Sequence, residues 1–190
     1  GLILADEGDV FLRGDKITNL PLHKRAQRGV CYLPQNTSIF KKMTVRENIL
    51  CAMEALSFSA NEKERNLDEI LERFSIGRIK NNYGYSLSGG ERRRVEIART
   101  LVLKPKFLLL DEPFAGVDPV TIGDLKELIR FLKNNGIGIL ITDHNVKEAL
   151  TLCEKIYVIS KGSMMAQGGV QTILENEEVK KVYLGEDFRL

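Results

Sequence analysis

Short apolar runs alternate with helical segments in the second half of the chain, and this alternation restricts the possible folds more than any other feature. The pattern predicts strands at 107–111, 137–142 and 155–160, separated by helices. Apolar runs without polar interruptions are typical of strands buried on both faces, and parallel strands require long crossovers such as helices. We therefore predict an α/β fold with a mostly parallel core sheet, whose ligand-binding groups lie at the carboxyl ends of the strands.

The hydrophobic pattern divides the 190 residues into parts of a single domain. Capping-box spacings at Thr44 with Glu47 and at Ser59 with Glu62 predict two helices ahead of the sheet-forming region. The predicted parts are a strand-rich part at 1–35, a helical subdomain at 36–90, a parallel-sheet core at 91–168 and a C-terminal helical tail at 169–190.

Charge and hydropathy argue against several kinds of partner. The chain has 28 Lys and Arg against 26 Asp and Glu, so its net charge of +2 is too balanced to favour nucleic-acid binding. We expect the basic run at 92–94 to be a solvated, ion-paired helix surface. No apolar run approaches the roughly 20 residues that a membrane span needs, so we expect no direct membrane insertion.

The run Leu-Ser-Gly-Gly-Glu at 87–91 lies where a helix is predicted to begin. Unpaired N–H groups at a helix N-terminus attract anions, and the glycines Gly89 and Gly90 let a phosphate approach the backbone. Ser88 and Glu91 also have the spacing of a capping box, which would explain the same residues without any ligand. The motif alone leaves both interpretations open.

Two adjacent carboxylates, Asp111 and Glu112, end the predicted strand at 107–111. One could hold Mg²⁺ through water while the other polarises an attacking water molecule, although two solvated acids would look the same. His144 follows the next strand end, and at the edge of a phosphate site it could donate to a γ-phosphate oxygen. A lone histidine is more often structural.

These motifs together resemble those of ATP-binding-cassette (ABC) ATPases. Gln35, the run at 87–91, the Asp-Glu strand end, Asp118 and His144 occur in the order found in that family. The resemblance covers the chain from end to end, and it implies a P-loop NTPase-like nucleotide-binding domain with a parallel core sheet and a helical subdomain. It also implies that ATP and Mg²⁺ are the cofactors.

The resemblance assigns a role to each matching position. It makes Glu112 the general base and His144 the switch histidine, and it makes Gln35 and Asp111 the residues that hold Mg²⁺. The remaining nucleotide-binding residues that it implies are Ser88, Gly89 and Gly90, which contact the γ-phosphate across a homodimer, and Asp118 of the loop that precedes the next helix.

Other segments narrow the resemblance to the ATPases of bacterial lipopolysaccharide export. These segments are 33–40, 88–100, 114–119, 142–146 and above all the ending at 182–190, which lies outside the catalytic motifs. The implied protein is peripheral on the cytoplasmic face of the inner membrane and powers lipopolysaccharide extraction and export. The alternative is the ATPase of a branched-chain amino-acid importer. Chromosome-organising and DNA-repair ATPases carry similar motifs but insert long coiled coils, and 35–87 has no sustained heptads.

The same resemblance implies transmembrane permease subunits that insert helices beside Gln35. Phe40 and Met43 are apolar residues in a segment that also holds Lys41 and Lys42. Apolar anchors beside polar residues are typical of a partner-binding surface with a polar rim. We therefore predict that Phe40 and Met43 line the partner groove. The alternative is a core phenylalanine beneath a solvated lysine pair.

One element of the family is missing from this sequence. No G-x-x-x-x-G-K-[ST] phosphate loop occurs among the 190 residues. We expect the chain to be an N-terminally truncated fragment without the first strands and the phosphate loop. On its own it should neither bind nor hydrolyse ATP detectably. A non-catalytic adaptor that lost the loop is the alternative.

Overall fold

The computed structural model describes residues 1–54 and 56–185, which divide after residue 142 into two compact units. The first unit contains the elements β1 (Phe11–Leu12), β2 (Asp15–Lys16), α1 (Leu22–Gln27), β3 (Val30–Leu33), α2 (Val45–Met53), α3 (Ala60–Arg73), α4 (Gly89–Leu101), β4 (Phe107–Asp111), α5 (Pro119–Asn134) and β5 (Gly138–Thr142). The second contains α6 (Val146–Leu152), β6 (Ile156–Ser160), β7 (Ser163–Gly168), α7 (Val170–Glu175), α8 (Glu177–Val179) and a π-helical turn, Lys180–Leu184.

A parallel sheet in the order β3, β4, β5 forms the centre of the first unit. Its middle strand is the apolar run ending at Asp111, in which Leu108 and Leu110 are fully buried. Leu110 pairs with Leu33 and Asp111 pairs with Thr142, so the carboxyl ends of all three strands meet at one edge. The predicted α/β fold with parallel strands joined by helices is thereby confirmed.

Local sequence determines where most helices begin. Capping boxes form at Thr44, Ser59 and Ser88, in each case with the glutamate three residues later. Asp118 caps α5 and is followed by Pro119 at the first helical position, where the missing N–H costs nothing. These caps fix the first residues of α2, α3, α4 and α5, and with them the loops that lead from the sheet edge.

The second unit is a helix-and-hairpin module with its own small core of Leu150, Ile173 and Val179. Its strand β6 pairs with β7 in antiparallel fashion through a tight turn in which Lys161 and Gly162 both have positive φ. The sequence analysis did not predict β7, because its run Ser-Met-Met-Ala-Gln-Gly lacks the β-branched residues typical of a strand.

The predicted C-terminal tail is described as far as Gly185, and the segment 186–190 lies outside the described residues. No helix within 1–54 and 56–185 is long and apolar enough to cross a membrane.

Candidate functional site at the carboxyl edge of the sheet

The Asp111 carboxylate is held between hydroxyl groups from both neighbouring strands. Thr142 on β5 donates its hydroxyl to Oδ1 at 2.6 Å, and Tyr32 on β3 donates its hydroxyl to Oδ2 at 2.9 Å. The hydrogen bond to Asp111 raises the pKa of the Tyr32 hydroxyl, so it stays protonated as a donor. Asp111 therefore presents a carboxylate of fixed orientation at the sheet edge.

Glu112 leaves the strand in a strained backbone conformation. Its φ is 42°, in the left-handed region that residues other than glycine rarely adopt. Hydrogen bonds hold it there: its N–H donates to the Thr142 carbonyl at 2.8 Å, and its Oε2 accepts from Gln35 Nε2 at 2.6 Å. Strain of this kind persists only where the surroundings enforce it and is concentrated at functional sites. The predicted residues Gln35 and Glu112 are thus brought into contact.

Behind the two carboxylates lies a buried ion pair that the sequence analysis did not identify. Arg93 and Glu96, on α4, have side chains only 7% and 2% exposed, with Nη1 and Oε2 separated by 3.2 Å. Arg93 also donates to the carbonyl of Pro34 at 3.0 Å and to the carbonyl of Asp111 at 3.3 Å. The expectation of a solvated surface at 92–94 is therefore wrong for Arg93, because one face of α4 packs against the sheet.

The two glycines of the run at 87–91 have different surroundings. Gly90 is buried, and a Cβ placed there would lie 2.3 Å from Thr121 Cγ2 on α5. Gly89 is exposed, and a Cβ there would come no closer than 3.6 Å, to the Gly116 carbonyl. Gly90 thus serves the packing of α4 against α5, whereas Gly89 leaves the exposed N-terminus of α4 accessible to a ligand.

A small cavity of about 120 Å³ brings several of the predicted residues together. Its walls include Gln35, Gly89 and Glu112, together with the buried pair on α4. Glu112 and the N-terminus of α4 consequently lie on one cavity within a single chain.

Asp118 is not among the residues that line this cavity, and His144 belongs to the other unit. The Asp118 carboxylate accepts from the Thr121 hydroxyl and backbone N–H, which holds its pKa below the usual range and shows that it caps α5. His144 belongs to the second unit, where its side chain is 70% exposed and Nδ1 lies 3.9 Å from Asp143 Oδ1. The nucleotide-contacting roles of both residues stay predictions.

Phe40 and Met43 occupy a surface loop ahead of α2. The Phe40 ring is 49% exposed and lies under the Arg99 guanidinium, with 5.2 Å between Cζ and the ring centroid. Met43 is half-buried. Phe40 is therefore available to a partner and is not a core side chain.

The donor groups fit magnesium bound together with a phosphate ligand. Within the described ranges, no cluster of three or more His, Cys, Asp or Glu side chains could hold a metal by itself. Mg²⁺ is usually held by one or two carboxylates plus substrate phosphates, and both Asp111 and the amide oxygen of Gln35 are the hard oxygen donors that it prefers.

Tyr32, Thr142 and Arg93 are the site residues that sequence reasoning missed. Each of them contacts Asp111 from another strand or helix. The sequence indicated that parallel strand ends meet at one edge, and the register of β4 with β5 places Thr142 beside Asp111. The sequence alone does not give the strand register, so it could not show which residue each of them contacts.

A parallel sheet whose central strand ends in Asp-Glu, joined to a glycine-initiated helix, is the architecture of a nucleotide-binding ATPase domain. The ABC transporter family model matches residues 1–115. The chain belongs to the ATP-binding subunits of ABC transporters, which are ATPases coupled to transport. The predicted family and enzyme class are confirmed.

The curated relatives show which ABC transporter ATPases this chain is similar to. The chain is 50% identical over 191 residues to the Lipopolysaccharide export system ATP-binding protein LptB of Escherichia coli K12, a match that spans all of this chain and 79% of that protein. It is 49% identical, with the same coverage, to the LptB protein of Haemophilus influenzae. Among solved structures, the ADP conformation of the ATP-binding cassette MJ1267 superposes with a TM-score of 0.85 at 29% identity, covering 98% of this chain and 80% of that one.

Proposed function

We propose that this chain belongs to the ATP-hydrolysing subunit of a transporter that extracts lipopolysaccharide from the inner membrane and moves it toward the outer membrane. The observation that carries the proposal is the 50% identity to the lipopolysaccharide-export ATPase across the whole chain, well above the 29% to the solved cassette. The geometry of Asp111, Glu112 and Gln35 supports the catalytic part, and the exposed Phe40 supports the coupling to a membrane partner.

The strand-end residues divide the chemical work between them. Asp111 and the Gln35 amide oxygen would hold Mg²⁺, which neutralises charge on the phosphates when it is bound. Glu112 accepts a proton from the attacking water, and its hydrogen bond from Gln35 keeps the carboxylate directed into the site. The hydroxyls of Tyr32 and Thr142 keep the Asp111 carboxylate in one orientation.

Gln35 also connects the site to the partner groove. It lies two residues after the end of β3, and five residues later the chain reaches Phe40. Movement of this short segment by a partner would change the contact between Gln35 and Glu112. Transport and hydrolysis would therefore be coupled through the hydrogen bond from Gln35 that orients the Glu112 carboxylate.

The assembly that fits these roles is a homodimer carrying permease subunits. Each γ-phosphate would be contacted by Ser88, Gly89 and Gly90 of the partner chain, with His144 and Asp118 completing the contacts. Permease helices would dock at Phe40 and Met43, which places the ATPase on the cytoplasmic face of the bacterial inner membrane as a peripheral subunit.

The test is Glu112→Gln in the protein expressed from its complete gene and assembled with its membrane subunits. Loss of the general base should lower ATP hydrolysis by about 10²–10⁴-fold while ATP-bound dimers accumulate. The matched control is Glu127→Gln, because Glu127 is an exposed glutamate of α5 paired with Arg130. Hydrolysis is followed by phosphate release, and lipopolysaccharide transfer by its delivery from proteoliposomes to an acceptor.

Two results would contradict the proposal. An unchanged hydrolysis rate in the Glu112→Gln protein would remove Glu112 as the base. Active hydrolysis with uptake of branched-chain amino acids and no lipopolysaccharide transfer would assign the chain to an importer instead.

A further inference from the structure

The short segment that carries Gln35 has an irregular backbone. Residues 34–39, all within the described part of the chain, adopt neither helix nor strand, and Gln35, Asn36 and Thr37 are exposed. Irregular surface segments are usually the more mobile parts of a fold. The place of the Gln35 side chain therefore depends on the contacts that restrain this segment.

Two charged side chains of α4 restrain the segment on both sides of Gln35. Arg93 Nη1 donates to the Pro34 carbonyl at 3.0 Å, one position before Gln35. Glu96 Oε1 accepts from the Ser38 N–H at 2.6 Å, three positions after it. Hydrogen bonds with one charged partner are about twice as strong as neutral ones. Gln35 is thus held between two anchors on one helix.

The same guanidinium also reaches the strand end that carries Glu112. Its Nη2 donates to the Asp111 carbonyl at 3.3 Å, one position before Glu112. Glu96 Oε2 accepts from Nη1 at 3.2 Å and so orients the guanidinium. The backbone positions that precede Gln35 and Glu112 are therefore both bonded to Arg93, and Glu96 orients that residue.

Arg99 adds a second contact to Ser38. Its Nη2 donates to the Ser38 hydroxyl oxygen at 2.8 Å, while the Ser38 N–H is bonded to Glu96. Glu96 and Arg99 are three positions apart on α4, a spacing that puts both side chains on one face of a helix. Ser38 is consequently fixed to α4 through its backbone and through its side chain.

Stability alone does not account for a carboxylate at position 96. The Glu96 side chain is only 2% exposed, and its neighbours Val95, Ile97 and Ala98 are buried apolar residues. A buried ion pair is often no more stable than apolar side chains of similar volume. An apolar residue at this position could fill the space equally well, but it could not accept a hydrogen bond from the Ser38 N–H.

We propose that Glu96 is a positioning residue for ATP hydrolysis. By accepting from the Ser38 N–H and orienting Arg93, it holds Gln35 where the amide reaches the Glu112 carboxylate. This rests on the proposed function, in which Gln35 directs Glu112 into the site, and it adds the residue of α4 that places Gln35.

The experiment measures kcat for phosphate release by the protein expressed from its complete gene and assembled with its membrane subunits. Glu96→Leu removes both acceptor oxygens, and we expect kcat to fall by about 10- to 100-fold because the base is misplaced. Glu96→Gln keeps an acceptor for the Ser38 N–H and should stay within about threefold of the parent. Ile97→Ala is the matched control, since it destabilises the same helix without removing a hydrogen bond to Ser38.

A double-mutant cycle with Gln35→Ala separates positioning from a general loss of structure. If Glu96 acts through Gln35, the Glu96→Leu change should lower kcat by less than about threefold once the Gln35 side chain is gone. A purely structural role predicts the same fold loss in both backgrounds, and that result would overturn the proposal.

The outcomes separate this proposal from the proposed function. A parental kcat in the Glu96→Leu protein, with Glu112→Gln inactive, removes only the positioning role. A parental kcat in the Gln35→Ala protein removes the catalytic assignment of Gln35 as well. Urea unfolding shows whether the Glu96→Leu subunit is folded.

Should the Glu96→Leu subunit be unfolded, variants of Ser38 decide, because they leave the buried ion pair intact. Ser38→Pro removes the N–H that Glu96 accepts, whereas Ser38→Ala keeps it and loses only the hydroxyl. A lower kcat in the proline variant supports the proposal, and equal kcat values in the two variants overturn it.

Discussion

At the scale of single residues, the candidate site depends on hydroxyl groups that orient a carboxylate. Asp111 has one hydroxyl donor on each side, Tyr32 at 2.9 Å and Thr142 at 2.6 Å. A carboxylate with both oxygens anchored loses less rotamer freedom when it meets a metal ion. The hydroxyls are thus positioning groups for the residue that we propose to hold Mg²⁺.

Tyr32→Phe should weaken divalent-metal binding in the protein expressed from its complete gene. Removing the hydroxyl frees Oδ2 of Asp111, and we expect the dissociation constant of Mn²⁺ in the presence of ATP to rise about three- to tenfold, a modest effect for a charged hydrogen bond at an exposed site. Electron paramagnetic resonance of free Mn²⁺ gives the constant without reference to turnover. Tyr157→Phe is the control, and equal constants for Tyr32→Phe and the parent would show that the hydroxyl positions nothing.

The residue types in the sequence predicted only part of the candidate site. Asp111, Glu112 and Gln35 could be named from the sequence because motif and strand end coincide. Tyr32 and Arg93 could not, because their roles depend on strand register and on which face of α4 is buried. Both are set by contacts between residues far apart in the sequence, such as Arg93 with Pro34, 59 positions away.

At the scale of elements, the buried Arg93–Glu96 ion pair of α4 links this helix to the sheet through hydrogen bonds from Arg93. Arg93 and Glu96 are separated by three positions on the same helix, and Arg93 reaches the ends of both β3 and β4 through backbone carbonyls. Arg130 and Glu127 on α5 form a pair with the same spacing at 2.6 Å, but their side chains are 43% and 75% exposed. The two pairs differ chiefly in burial.

Arg93→Met should lower the free energy of unfolding by about 3–5 kcal/mol, because it leaves the Glu96 carboxylate buried without its ion-pair partner. Adding Glu96→Gln should recover part of this loss, since the neutral amide still accepts the hydrogen bond from Ser38 N–H. Arg130→Met, which breaks the exposed pair, should cost less than about 1 kcal/mol. Urea unfolding measures all three, and equal losses for the Arg93→Met and Arg130→Met proteins would contradict the role of burial.

The contact between α4 and α5 gives a second prediction at this scale. Gly90→Ala forces a methyl group against Thr121 and should cost about 1–3 kcal/mol of stability, whereas Gly89→Ala has room and should cost little. Thr121→Ala in the Gly90→Ala background should restore part of the loss by removing Cγ2. Thermal or urea unfolding compares the four proteins. Equal destabilisation by the two glycine variants would mean that α4 does not pack on α5 as described.

Local signals predicted the elements better than their pairing. The starts of α2, α3 and α5 follow from side chains within four residues, and β4 follows from an uninterrupted apolar run. The strand β7 was not predicted because its own composition does not favour a strand. It is stabilised by pairing with β6 and by the turn at Lys161 and Gly162. The tertiary context of a strand can outweigh the intrinsic propensity of its residues.

At the scale of the whole molecule, the proposed homodimer predicts that each nucleotide site combines residues of two chains. Gly89 and Glu112 also line one small cavity within a single chain, so a site formed within one chain is the alternative arrangement. The proposed homodimer pairs Glu112 of one chain with Ser88 to Gly90 of the other. Mixing two inactive variants separates these arrangements.

One variant is Glu112→Gln, and the other is Ser88→Asp, which keeps a good helix cap but repels phosphate. If each site combines two chains, a mixed dimer has one site with both defects and one site with neither. Random pairing makes half of the dimers mixed, so about a quarter of the parent ATPase rate should return on mixing. Each variant assayed alone is the control for residual rate. A site formed within one chain gives no such recovery, because every site then keeps one of the two defects.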